Sequence, residues 1–302
     1  MANPSPAFRG DIRRDRRVVL KIACLSLLLT LVRIAAAADE GAASAHETVV
    51  IPSGALQLKG FLWRPKGTGP FPVVLFNHGS GSVDPGHTGP LAITDAAERL
   101  GPIFVKHGYA FLYPFRRGQG LSADQGPFMQ NVLQREEAAK GKEASQHLQF
   151  VLMTTDHLDD VLASLTFLRN LAWIDSHRIA MAGHSFGGQL TLLAAERDSS
   201  VRAAITFGAA AASWKNSPEM RERLLAAARK THSPVMLVHA ANDYSTIPGK
   251  IIADELQKLG RPHLLKIYPP VGKTPDDGHN FVYTAVDRWE NDVFEFLDQQ
   301  LR

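Results

Sequence analysis

"RIAMAGHSFGGQL", residues 178–190, runs a short apolar stretch straight into a serine fenced by glycines. Read as strand, sharp turn and helix, the pattern has mechanical content. A turn this tight holds Ser185 in strained backbone geometry, and side chains two residues before and after it would collide, which accounts for Gly183 and Gly187. The strain lifts the hydroxyl clear of a sheet. The N-terminus of the following helix adds backbone donors and a positive dipole end where an oxyanion would form.

The sequence around this stretch supplies the scaffold such a turn needs. Phe71–Gly79, Tyr109–Pro114, Arg178–Gly183, Arg202–Gly208, Pro234–Ala240 and His263–Pro269 are short, nearly continuous apolar runs. Runs of this kind suit strands buried on both faces of a mostly parallel sheet. "ETVVI" and "LQLKGFLWRP" read as two antiparallel strands around a turn at Ser53 and Gly54. Helical spacing appears at Leu158, Val161, Leu162, Leu165 and Leu168, after Ser217–Pro218, and at Ile251, Ile252, Leu256 and Leu259 before Gly260. A last helix is expected to carry Val282, Val286, Trp289, Val293 and Phe296 along one stripe. The fold class is α/β, a mostly parallel central sheet of about eight strands with helices on both faces. Ser122–Gln149 is too long and polar for an ordinary strand-to-helix link, and reads either as a lid or as a solvated insertion. Gly81–Pro90, with its glycines and Pro85, reads as loop.

At 302 residues, 45% hydrophobic and 21% charged, the chain has ample material for a core. Its net charge of +3 is unevenly placed: residues 1–38 hold seven basic side chains against two acidic ones, so the remainder carries −2. A basic footprint for phosphates is therefore missing, and a nucleic-acid partner is not expected. The same N-terminal segment has a basic region, the apolar run Ile22–Val32, and Ala36–Ala38 before Asp39. This is the layout of a secretory signal peptide, too short to span a bilayer, with the mature chain, free of any membrane span, beginning at Asp39. "RRVVLK", Arg16–Lys21, is similar to a twin-arginine signal, with Val19 where an aromatic residue is usual, so the export route stays open between twin-arginine and general secretion. The single cysteine, Cys24, falls inside this segment, which leaves no disulfide for the mature chain. The protein is expected to be exported, periplasmic or secreted.

A free serine is a poor nucleophile and needs a base and a carboxylate. On a scaffold of this kind the chain order is Ser, then Asp or Glu, then His. Asp243 follows the run ending near His239, and His279 follows the run ending near Tyr268, so both fall at the required stations. "VVLFNHGSGS" places His78 and Gly79 at an early strand end, where the amide of Ser80 can join that of Phe186 in facing an oxyanion.

On these residues the sequence resembles the α/β-hydrolase superfamily over about residues 48–300. Among its branches it is similar to the dienelactone hydrolase family, through "LKGFLWRPKGTGPFPVVLFNHG", "WIDSHRIAMAGHSFGG", the Asp243 segment and "GHNF". The resemblance implies an esterase or related acyl hydrolase without cofactor or metal, acting on a small-molecule ester. Dienelactone hydrolases proper use a cysteine nucleophile, and Ser185 departs from that. "YPFRRGQGLS" is similar to a loop shared with peptidase and esterase relatives.

The remaining polar residues are assigned by chemistry. Asp276 and Asp277 stand near His279 but read as turn residues. His184 reads as a packing residue under the turn, His78 as a loop-orienting residue and Asn242 as a loop-shaping one. Arg116 and Arg117 are candidates for binding a substrate carboxylate, or else structural. His87, His107, His147 and His157 lack metal-ligand spacing, and the glycines of "GSGS" and "RGQG" do not open a nucleotide site. A small peptidase or amidase with the same three residues and a non-catalytic binding protein on the same scaffold are the alternatives.

Overall fold

The apolar runs assemble into one sheet of eight strands in a computed structural model that describes Met1, residues 45–80 and residues 92–302. The strands are β1 (His46–Ser53), β2 (Leu56–Trp63), β3 (Phe71–Asn77), β4 (Ala110–Phe115), β5 (Ile174–His184), β6 (Ala203–Phe207), β7 (Val235–Ala240) and β8 (His263–Tyr268). Their order is β1-β2-β4-β3-β5-β6-β7-β8. β1 and β2 pair antiparallel, β2 runs antiparallel to β4, and every other pairing is parallel. The N-terminal segment expected as an export signal and the loop Gly81–Pro90 lie outside the described residues.

β4, β6 and β7 are buried at every position, as strands covered on both faces must be. Alternation along β3 shows the two cores: Val73 and Leu75 join one, Val74 and Phe76 the other. The first core is closed by α4 (Asp156–Arg169), α5 (Phe186–Arg197), α6 (Pro218–Lys230) and α7 (Ile247–Lys258). The second is closed by α1 (Ile93–Lys106) and α10 (Val286–Leu301).

Ser122–Gln149 contains most of a helical hairpin, α2 (Met129–Lys140) and α3 (Lys142–Thr154), broken at Gly141, whose φ is 90°. Met129, Leu133 and Met153 sink into the first core. The C-terminal stripe differs from expectation. Ala285, at φ −139° and ψ 56°, interrupts it between α9 (Phe281–Thr284) and α10, so Val282 and Trp289 sit on separate helices. The Trp289 indole N–H donates to the Val282 carbonyl at 3.1 Å and bridges the break. The short α8 (Pro275–His279) precedes α9.

Candidate active site

β5 delivers Ser185 into the first turn of α5 with φ 53° and ψ −115°, a conformation that costs a non-glycine residue about 1–3 kcal/mol. Its amide is tied to the Phe207 carbonyl of β6 at 2.8 Å. A Cβ at Gly183 would overlap the Gly187 carbonyl, and one at Gly187 would overlap the carbonyls of Asn77 and His78. The two glycines thus allow three backbone segments to meet. Asn77 Nδ2–H donates to Thr191 Oγ1 at 2.9 Å, and the Thr191 hydroxyl donates to the Gly187 carbonyl at 2.9 Å. This stitch between β3 and α5 carries no signal in the sequence pattern.

Ser185 shares a cleft with Ser80, His184, His279, Asn280 and Tyr283. No residue of 122–149 lines it, so the stretch weighed as a lid stands aside from the serine. Phe186 is the first residue of α5, and an amide at that position has no carbonyl one turn back to bond. The Ser80 carbonyl accepts from the Gln119 side chain.

Asp243 follows β7, its side chain wholly buried. The His279 Nδ1–H donates to its Oδ1 at 2.7 Å, and the Tyr244 amide donates to the same oxygen at 2.8 Å. Its Oδ2 accepts from His239 Nδ1–H at 2.9 Å. Burial pushes the Asp243 carboxyl up, but the hydrogen bonds from His239 and His279 outweigh it and hold the group below its ordinary value. His239 escaped the sequence reading. Its signal was its place four residues before Asp243 at a strand end.

The Asp276 and Asp277 carboxylates are occupied elsewhere. Asp277 Oδ2 accepts from the amides of Lys273 and Thr274, each at 2.9 Å, in a capping box that starts α8. Asp276 accepts from the Tyr244 hydroxyl. Asn242 joins the two loops: its Nδ2 donates to the Val271 and Thr274 carbonyls, and its Oδ1 accepts from the Val271 amide. His184 Nε2–H donates to the His279 carbonyl at 2.9 Å. Burial first, then the neighbouring His279, pushes the His184 imidazole down to about 3.

Arg116 and Arg117 depart from the substrate-binding expectation, since neither lines the cleft. Arg116 is 1% exposed and points its guanidinium under the loop that carries Ser80. Nη1–H donates to the His78 carbonyl at 2.8 Å and Nη2–H to the Gly79 carbonyl at 2.6 Å, while the guanidinium lies 5.2 Å from the Phe186 ring centre. Burial lowers it to about 10. His78 is held well below its ordinary value by burial and by Arg116, so it is neutral, with Nδ1–H donating to the Gly79 carbonyl at 2.8 Å. Arg117 is committed to Asp160 through Nε–H at 3.0 Å and Nη2–H at 2.8 Å.

The dienelactone hydrolase family model matches residues 58–301. No curated protein sequence matches the chain. Among solved structures, a putative dienelactone hydrolase from Klebsiella pneumoniae is similar at 19% identity and a TM-score of 0.56, over 84% of this chain and 95% of that one. Est1E from Butyrivibrio proteoclasticus, solved with ferulic acid, gives 19% and 0.58 over 83% and 98%. The acylaminoacyl peptidase of Pyrococcus horikoshii gives 20% and 0.63, over 87% of this chain but only 42% of the peptidase. At these identities the likeness speaks for the fold. With the family match spanning most of its length, the chain belongs to the dienelactone hydrolase family and is an α/β hydrolase.

Proposed function

We propose that the protein is a serine hydrolase that cleaves a carboxylic ester or similar acyl bond of a small molecule through an acyl-enzyme. The observation that carries this reading is the 2.7 Å hydrogen bond from His279 to a buried Asp243, with His279 sharing a cleft with the strained Ser185. In the proposed cycle the Ser185 hydroxyl attacks the acyl carbon and passes its proton to His279 Nε2. Asp243 keeps the imidazole in its Nδ1–H tautomer and stabilises the imidazolium. The amides of Ser80 and Phe186 hold the oxyanion, and His279 returns the proton to the departing alcohol. Water then attacks the acyl-enzyme by the same route and frees Ser185. Membership of the dienelactone hydrolase family supports ester chemistry. We read residues 1–38 as an export signal, so this chemistry would take place outside the cytoplasm; N-terminal sequencing of the mature protein tests that.

Intact mass after exposure to a fluorophosphonate tests the nucleophile. One adduct is expected on the wild type and none on Ser185→Ala; an adduct on both, or on neither folded protein, rejects the reading. A paired panel of p-nitrophenyl esters and p-nitroanilides then separates esterase from amidase, with faster turnover of the esters expected.

A further inference from the structure

Asp243 has two imidazole partners, whereas a relay from Ser185 through His279 needs only one. The second, His239, lies one residue before the end of β7, with its side chain 1% exposed and its Nδ1 2.9 Å from Oδ2 of the carboxylate. We infer that His239 is a positioning residue whose Nδ1–H pins Oδ2 of Asp243, so that Oδ1 stays aimed at His279. The inference rests on the triad reading above.

A carboxylate turns easily about its Cβ–Cγ bond, where rotamer wells are broad. Two donors on Oδ1, from His279 and the Tyr244 amide, leave that rotation opposed from one side only. The donor on Oδ2 completes the clamp. An ionised carboxylate only accepts, so a neutral His239 carries its proton on Nδ1 and presents a bare Nε2. That nitrogen is buried and has no partner among the described residues. It is pressed by the start of α7, where a Cβ at Gly249 would lie 2.6 Å from it. A histidine placed for its own hydrogen bonding would pair both nitrogens. This one leaves Nε2 bare and spends Nδ1 on the carboxylate oxygen that His279 does not use. Among the described residues, the other titratable groups facing His279 are His184 from β5 and Tyr244, with ring centres 4.7 and 4.8 Å from its own.

The test uses the full chain and a p-nitrophenyl ester, comparing His239→Leu with His239→Asn beside Ser185→Ala and Asp243→Asn. Leucine keeps the bulk and removes the donor, and kcat is expected to fall about 10- to 100-fold, the size of a hydrogen bond to a charged group. KM stays within about twofold. The acidic limb of kcat/KM moves to higher pH, because a carboxylate with one donor fewer presents more negative charge to His279. In His239→Asn the side-chain amide donates from nearly the place of Nδ1–H, so that variant restores most of both effects. Nitrogen-15 spectra of Ser185→Ala read the tautomer without touching His239, and Nδ1–H with a bare Nε2 is expected. Wild-type kcat and limb in folded His239→Leu overturn the inference, as does an Nε2–H tautomer, which decides the matter if the leucine variant does not fold. Loss of turnover in Ser185→Ala and Asp243→Asn but not in His239→Leu removes the positioning role alone. Retained turnover in those two removes the triad reading and this inference with it.

Discussion

Arg116 and Arg117 are neighbours in sequence and opposites in structure. Arg117 meets charge with charge: Asp160 takes it in a two-point contact, Asp156 approaches Nη1 at 3.1 Å, and Asp160 is held in turn by the Ser53 hydroxyl at 2.8 Å. Burial works against the Arg117 charge, but Asp160 and Asp156 raise the group above its ordinary value. Among the described residues the Arg116 guanidinium meets no carboxylate: it has the carbonyls of His78 and Gly79, His78 Nδ1 at 3.2 Å and the face of Phe186, and its Nε has no partner. A buried ion without a counter-ion is expensive, and folds retain one where its geometry has a use. Here its contacts are the loop bearing Ser80 and the ring of Phe186, the two residues whose amides are proposed to receive the oxyanion. One arginine braces the frame, and its neighbour braces the chemistry.

The strongest challenge to that division is Arg116→Met. It takes the arginine donors from two buried carbonyls, leaving Gly79 with His78 Nδ1–H, and frees the Ser80 loop; kcat on a p-nitrophenyl ester is expected to fall about 100-fold, comparable with losing an oxyanion donor. A fall of less than threefold in a protein folded by circular dichroism breaks the comparison. Arg117→Met should act on stability instead. It strands the buried Asp160, and urea unfolding is expected to register about 3 kcal/mol while kcat stays within about threefold. Adding Asp160→Asn should recover part of that loss.

The histidines around the pair sharpen the contrast through pH. His78 is kept neutral by burial and Arg116, and His157 by burial and both arginines; His184 is kept neutral by burial and His279. Each has a folded value below 6.5, so below that pH the unfolded chain binds protons the folded one refuses. Stability is therefore intact above about pH 6.5 and lost as pH falls, at up to about 1.4 kcal/mol per pH unit for each histidine. Urea unfolding between pH 7.5 and 5 measures the slope, and His157→Gln should lower it by about a third. The smallest effect expected is that of Phe186→Leu, which removes the ring over Arg116 and should cost about 1 kcal/mol in the same assay.

What could be read in advance follows from how local each cause is. β4, β6 and β7 were legible because strands covered on both faces must be apolar throughout. Ser185, Asp243 and His279 were legible as stations because each falls in the segment that follows a strand, and Asp277 could be set aside because Pro275–Gly278 reads as turn chemistry. The fate of Arg116 was not legible: "RR" does not say which guanidinium is covered, and the carbonyls that hold it come from the loop after β3. Ala285 escaped because the stripe continues across the break. His239 escaped because its partner is defined by a loop returning to the strand end.

The glycine at 187 has one further consequence. Because it lets α5 touch the carbonyls of Asn77 and His78, the spacing between Ser185 and the loop bearing Ser80 is gauged by backbone against backbone, across more than a hundred residues of sequence. The side chains that wall the cleft, Ile93 and Thr284 among them, are not part of that backbone contact. Substrate preference on this scaffold is thus free to drift by replacing walls while the reacting atoms keep their separation, a division of labour that lets one hydrolytic machine be inherited under many specificities.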